Sequence, residues 1–439
     1  PLLGVVSCAF LLGRIEPIPA PPAHFSLALA VNRMASSRLL ASTEGNPHMA
    51  SALIRRRPFI LFLFALSLSL LGLHAVGIHA APADSLLYVG TYTEHGSKGI
   101  YAFHFDSSSG HASPVGLAAE TADPSFLAFD PRGDRLYAVN EMSEFHGQSA
   151  GAVSAFSIDS ATGLLFPLDQ VSSRGAGPAF VAVDRTGKFV LVANYDGGSV
   201  AVFTVLPDGR LGDPSAFVQH HGSSVNRDRQ SSPHAHAIAI SSDNRFAIVA
   251  DLGLDQLIPY PFDERTGKLG LAQNITPAHP GSGPRHLIFD RDGKFLYVID
   301  EISSEVNVYR YEPRAAVLTE LQTISTLPEG FSGQSTAAEI ALAPSGKFLY
   351  ASNRGDDSIA VFAVHRRSGL LSKVERVPTL GRTPRNFALD PTGKWLLAAN
   401  QDSDSIVIFR VDPKSGHLTS TGRTLGVSSP VCLLFIPER

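Results

Sequence analysis

The chain has 439 residues, with 36 basic against 40 acidic side chains and only two cysteines. This near balance, with no Lys/Arg block beyond one arginine triplet, argues against a DNA or RNA partner. Cys8 falls in a leading segment expected to be lost, which leaves Cys432 alone and excludes an intramolecular disulfide framework.

The chain opens on proline, and Met49 lies just ahead of the arginines. Residues 1–48 are therefore expected to lie outside the true precursor, as an extension without domain character. Residues 49–83 read as a secretory signal. Arg55-Arg-Arg precedes the apolar run from Pro58 to Gly72, and small residues at Ala80, Ala81 and Ala83 suit cleavage near 80–84. The alternative is an uncleaved anchor or a buried helix, and His74, His79 and the short apolar core argue against a lasting membrane span. The expected location is the periplasm or the medium, with no stable membrane anchor after cleavage.

From residue 84 to 439 a short pattern recurs. Copies include Phe129-Asp-Pro-Arg-Gly-Asp-Arg-Leu-Tyr-Ala-Val-Asn140, Phe289-Asp-Arg-Asp-Gly-Lys-Phe-Leu-Tyr-Val-Ile-Asp300 and Leu389-Asp-Pro-Thr-Gly-Lys-Trp-Leu-Leu-Ala-Ala-Asn400. The turn residue falls at 133, 187, 244, 293, 346 and 393, a period of 47 to 57 residues. Asn244 takes the glycine place because asparagine tolerates left-handed backbone. Such a period fits four short strands with their turns, which is one propeller blade. The missing copy is split between the ends. Pro430-Val-Cys-Leu-Leu-Phe-Ile-Pro437 resembles a first strand without a second, and Leu86-Leu-Tyr-Val-Gly90 a second without a first. Seven polar turns, at 107–110, 160–163, 207–209, 264–267, 312–316, 366–369 and 413–416, give the same count independently. The expected fold is all-β, a seven-bladed β-propeller whose last blade is closed by the N- and C-terminal strands.

Counting outward from each turn places residues opposite one another in an antiparallel hairpin. This pairs Arg285 with Glu301, His236 with Asp251 and Arg385 with Gln401, all at one rim of the central channel, where Asn140, Glu141, Asn194, Asn353 and Arg354 also belong. Several arginines near one glutamate leave two readings open. One is a cross-strand ion pair that locks a blade, and the other is a pocket for a carboxylate- or phosphate-bearing small molecule. His234 and His236, two apart on a strand, are a hydrogen-bonding pair, a catalytic or binding histidine, or two ligands of a metal whose third donor the sequence does not assign. No metal and no cofactor are expected. Loops 221–233 and 328–337 are polar and longer than typical connections, which suits function or surface decoration. No nucleophile elbow, phosphate loop or His-Glu-x-x-His is present.

Leu87-Tyr-Val-Gly-Thr-Tyr92, Pro233-His-Ala-His236, Gly283-Pro-Arg-His286 and Ser352-Asn-Arg354, set among Asp-Pro-x-Gly-Lys-Phe turns, resemble the seven-bladed lactonase family. That family includes propeller-type 6-phosphogluconolactonases and the fungal carboxy-muconate lactonizing enzyme, and the resemblance covers about 85–439. It implies hydrolysis of a lactone to the hydroxy acid, with a catalytic set of His236 (or His234), Glu301, Arg285 and Arg354 (or Arg385) and either His236 or Glu301 as the base. His234, His286, Arg385, Asn194, Asn353 and Glu141 are expected to contact substrate. The implied partner is a small anionic lactone or sugar acid, and the protein is expected to be a monomer. Export puts a cytoplasmic phosphorylated lactone in doubt as the substrate. The rival readings are ring closure of the muconate type and a non-catalytic ligand-binding or scaffold propeller.

Overall fold

The computed structural model of the protein describes residues 84–437. The expected extension and signal, residues 1–83, lie outside the described residues. Within them, six of the seven blades join their first two strands through a turn whose chemistry is local. The Asp184 carboxylate accepts the backbone N–H groups of Lys188 and Phe189, both at 2.8 Å, and Asp390 does the same for Lys394 and Trp395. The chain can reverse this tightly only with one left-handed residue in the turn. Gly187 has φ 71°, and Asn244, in the glycine place of the third blade, has φ 59°.

Seven four-stranded antiparallel sheets follow. Their innermost strands are Phe126–Phe129, Pro178–Val183, Ala235–Ile240, Pro284–Phe289, Thr336–Leu342, Pro384–Leu389 and Pro430–Pro437. The last of these pairs with Asp84–Thr91, so the seventh blade joins both ends of the described chain and no sheet edge is left bare at the join. Seven apolar clusters lie between neighbouring blades. Strand alternation builds them, as Asp84–Thr91 shows: Leu86 and Tyr88 pack toward Leu127 and Phe156 of the first blade, whereas Leu87 and Val89 pack toward Leu397 and Ile408 of the sixth. Tyrosine hydroxyls add hooks from blade to blade. Tyr137 donates to the Gly209 carbonyl at 3.2 Å and Tyr297 to that of Gly369 at 3.0 Å.

The third blade departs from the pattern. Its outer strand is only Thr276–Pro277, because the neighbouring strand Gln256–Pro261 carries Pro259 and Pro261, which have no N–H to donate. The carbonyls of these prolines still accept from Gln273 and Gly270.

The expected cross-strand pairs at the rim are shifted. Pro284 pairs with Asp300 and His286 with Ile299, so Arg285 is an extra residue and does not face Glu301 across the ladder. The same bulge takes up His236, between Ala235 and Ala237, and Arg385, between Pro384 and Asn386. Counting from the turn fails here because a bulge sets two residues against one and re-aims the extra side chain.

Six of the second strands carry a fully buried Asn or Asp at or next to their last residue: Asn140, Asn194, Asp251, Asp300, Asn353 and Asn400. Asp300 accepts from Asn307 Nδ2 at 2.6 Å, and burial pushes its carboxyl up to about 7. Its unfolded value lies near ~3.9, so between about pH 4 and 7 the folded state holds a proton that the unfolded chain releases, and stability falls as pH rises through that window. Asp300→Asn, the residue four other blades carry, should remove this slope. Comparing unfolding free energies from denaturant titration at pH 4.5 and 8, the variant is expected to gain about 3 kcal/mol over wild type across the interval. Parallel pH profiles would contradict this assignment.

Candidate active site

Two structural positions, repeated around the ring, supply most of the site. The first is the residue that follows the buried Asn or Asp near the end of six second strands, or Thr91 in the seventh blade. Its N–H bonds back to the carbonyl just ahead of the inner strand: Glu141 to Asp123 at 3.0 Å, Tyr195 to Gly177 and Glu301 to Gly283, both at 2.7 Å. Tyr92 is held in the same way by Ser429 at 3.1 Å. The second position is the bulge of the inner strand, which delivers His236, Arg285 and Arg385. A cavity of about 170 Å³ lies among Glu141, Ala179, Tyr195, Arg229, His236, Glu301, Arg354 and Arg385.

Glu301 organises the cations. Its Oε2 meets Arg285 Nε at 3.0 Å and an Arg354 terminal nitrogen at 2.9 Å, while Oε1 accepts from Arg229 at 2.5 Å. Burial alone would raise its pKa, but Arg354, Arg285 and Arg229 outweigh burial and hold the carboxyl well below the usual carboxylate range. A carboxylate so stabilised is a weak base. Arg285 is 2% exposed and does not line the cavity; it is spent on Glu301 and on the Ala338 carbonyl at 2.5 Å. Burial, reinforced by Arg354 and Arg385, pulls its pKa down to about 9, which leaves the guanidinium charged at neutral pH.

Arg354 also reaches the Ala337 carbonyl at 3.2 Å, yet its buried Nε has no protein partner. Across the cavity, Arg385 lies 5.3 Å from the centre of the Tyr92 ring and 3.6 Å from Glu141, whose carboxylate accepts the Tyr92 hydroxyl at 2.9 Å. Four guanidiniums thus surround two carboxylates, and the excess positive charge faces the cavity.

His236 reaches the cavity edge-on to Tyr195, with ring centres 5.4 Å apart. Burial, then Arg285, His286, Arg385 and Arg354, lower its pKa well below the ordinary imidazole value, so the ring is neutral at physiological pH. His234 precedes the strand and stacks on the Tyr195 ring at 4.4 Å, its Nδ1 bonded to the Tyr195 carbonyl at 2.9 Å. The two rings brace one tyrosine and do not converge as a pair of metal ligands. Among the described residues, no three His, Cys, Asp or Glu side chains group to hold a metal ion.

The structure therefore brings His236, Glu301, Arg354, Arg385 and Glu141 together, with Arg285 directly behind them. Asn194 and Asn353 do not line the cavity. They turn into their blades, where Nδ2 donates to the carbonyls of Ser173 and Thr326, respectively. His286 lies one layer deeper, against Phe126, Phe180 and His236.

Three contributors were not singled out from the sequence. Tyr92 and Tyr195 occupy the position of Glu141 and Glu301, so extending the rim rule to every blade would have found them. Arg229 sits in the long loop 221–233, and no spacing announces that it reaches Glu301.

The chain matches the family model described as lactonase, 7-bladed beta-propeller, over residues 86–435. It is 38% identical over 351 residues to a 6-phosphogluconolactonase of Bacillus subtilis (strain 168), covering 80% of this chain and 98% of that one. A 6-phosphogluconolactonase of Formosa agariphila is 34% identical, over 69% of this chain and 85% of its own. Among solved structures, the Pseudomonas aeruginosa periplasmic gluconolactonase superposes with a TM-score of 0.76, at 36% identity, covering 81% of this chain and all of that one. The protein belongs to the seven-bladed β-propeller lactonase family.

Proposed function

We propose that the protein hydrolyses a lactone carrying an anionic group, with His236 as the general base. The observation that carries this reading is a neutral imidazole at a small cavity ringed by guanidiniums whose charge two carboxylates do not cancel. Arg385, Arg354 and the partly exposed Arg229 line the cavity and would hold the anion of the substrate. One of them would also face the ring carbonyl and stabilise the oxyanion. His236 takes a proton as a water O–H bond breaks and the hydroxide oxygen bonds to the carbonyl carbon. Collapse of the tetrahedral intermediate then breaks the ring C–O bond, and the leaving oxygen recovers the proton from His236. Glu301 anchors the arginines, and its low basicity argues against the role of base.

Export supports a substrate other than a cytoplasmic phosphorylated lactone. The signal-like segment at 49–83 and the similarity to a periplasmic gluconolactonase favour the periplasm. A scaffold reading would call for a broad apolar face, yet the large exposed apolar side chains, such as Phe166, Phe217, Leu271 and Leu380, are spread over several blades and loops. The test is a panel of sugar lactones, phosphorylated lactones and muconate-type acids, assayed with exported protein whose amino terminus is expected near residues 80–84. Proton release and ring closure are followed together. Turnover of at least one anionic lactone is expected, whereas anion binding without turnover across the panel would favour a binding module.

A further inference from the structure

Behind the cavity lies a second acid–imidazole pair that the proposed chemistry has not used. Glu339 sits at the bulge of the strand Thr336–Leu342 and is 8% exposed. Its carboxylate accepts from His286 Nδ1 at 3.1 Å, from the backbone of Ile340 at 2.9 Å and from Asn386 Nδ2. Asn386 is itself fixed by the closing strand, since its Oδ1 accepts the Leu433 N–H at 2.9 Å. All three partners of Glu339 are donors, so its acceptor capacity is used without a guanidinium, unlike that of Glu301.

His286 is 4% exposed and meets His236 edge to face, with ring centres 5.1 Å apart and planes at 74°. With Nδ1–H given to Glu339, its Nε2 is the lone-pair side of the ring. That atom and Nδ1 of His236 are both buried without a protein partner. A row Glu339–His286–His236 thus runs from beneath the cavity to its wall.

We propose that Glu339 and His286 are positioning residues for His236, fixing its ring and setting the pH range over which it accepts a proton. The inference rests on the reading of His236 as the base. When His236 takes up a proton, a positive charge forms in a cationic surrounding. Arg285, Arg354, Arg385 and His286 face it, with the Tyr195 ring at its edge. His286 in turn faces Arg285, Arg385 and the carboxylate of Glu339. Glu339 is the anion on this side of the row, and through His286 it offsets the charge that proton uptake creates.

The test uses the mature propeller with 15N-labelled histidine, together with the pH dependence of kcat/KM on a lactone turned over by the wild type. In Glu339→Gln the His236 titration is expected to move to lower pH by about one unit. The acid limb of kcat/KM should move with it, and the plateau should fall about tenfold. A fall in rate with an unmoved limb and an unmoved His236 resonance would mean that Glu339 only supports the fold, and would overturn the proposal. If Glu339→Gln does not fold, the wild type still decides. His286 should show the Nδ1–H tautomer, and its titration should be coupled to that of His236; two independent titrations would overturn the proposal. Full activity in His236→Ala would instead remove the base assignment, while a shifted His236 titration in Glu339→Gln would still establish the electrostatic coupling.

Discussion

Replacing His236 with alanine should lower kcat by about 10²- to 10⁴-fold while leaving KM within a few-fold, because the general base is lost and the arginines that bind the anion remain. The wild-type pH profile gives an independent check. Burial and the cations around His236 disfavour its imidazolium, so kcat/KM should stay level as pH falls through 6.5 and decline only below it. A half-maximal rate near pH 7 would identify a different base, as would an unchanged kcat in the variant.

The second large effect concerns stability. Glu301→Ala should cost about 3–5 kcal/mol, because it leaves Arg285 and Arg354 buried close together with their shared carboxylate gone. Chemical denaturation at pH 7 measures this, and a loss below about 1 kcal/mol would show that the carboxylate is not the anchor of the cluster. The pH dependence carries a definite sign. The pKa of Glu301 is depressed in the folded protein, so its contribution is complete above its unfolded value near ~4.3 and is lost as pH falls toward the folded value. The gap between wild type and variant should therefore be constant from pH 8 to 5 and narrow in stronger acid. Activity should fall as well, since Arg229 and Arg354 lose the group that positions them toward the cavity.

Much of the site was legible because the blades repeat. The residue after each buried Asn or Asp reaches the axis in several blades, and this led to Glu141, Glu301 and Arg354. The same logic misassigned Asn194 and Asn353, whose place at the strand end suggested the rim. Their amides instead satisfy carbonyls of the loops between blades, since a buried backbone acceptor must be paired. His236, Arg285 and Arg385 were found by an argument with the wrong register. They reach the centre because a bulge re-aims them, not because they face Asp251, Glu301 and Gln401 across a ladder.

The sequence by itself determined the number of blades, the turn between the first two strands of six of them and the splice of Asp84–Thr91 onto Pro430–Pro437. These depend on local chemistry: an Asp that caps two amides, a residue that accepts positive φ, and alternation that buries both faces of a strand. Tertiary structure alone decided which charges meet. Arg229, Arg285 and Arg354 come from a loop and two different blades, yet share one carboxylate. That convergence, with the burial it imposes, makes Glu301 a poor base and keeps His236 neutral. Desolvation and Coulomb terms depend on distances through space, which spacing along the chain does not encode.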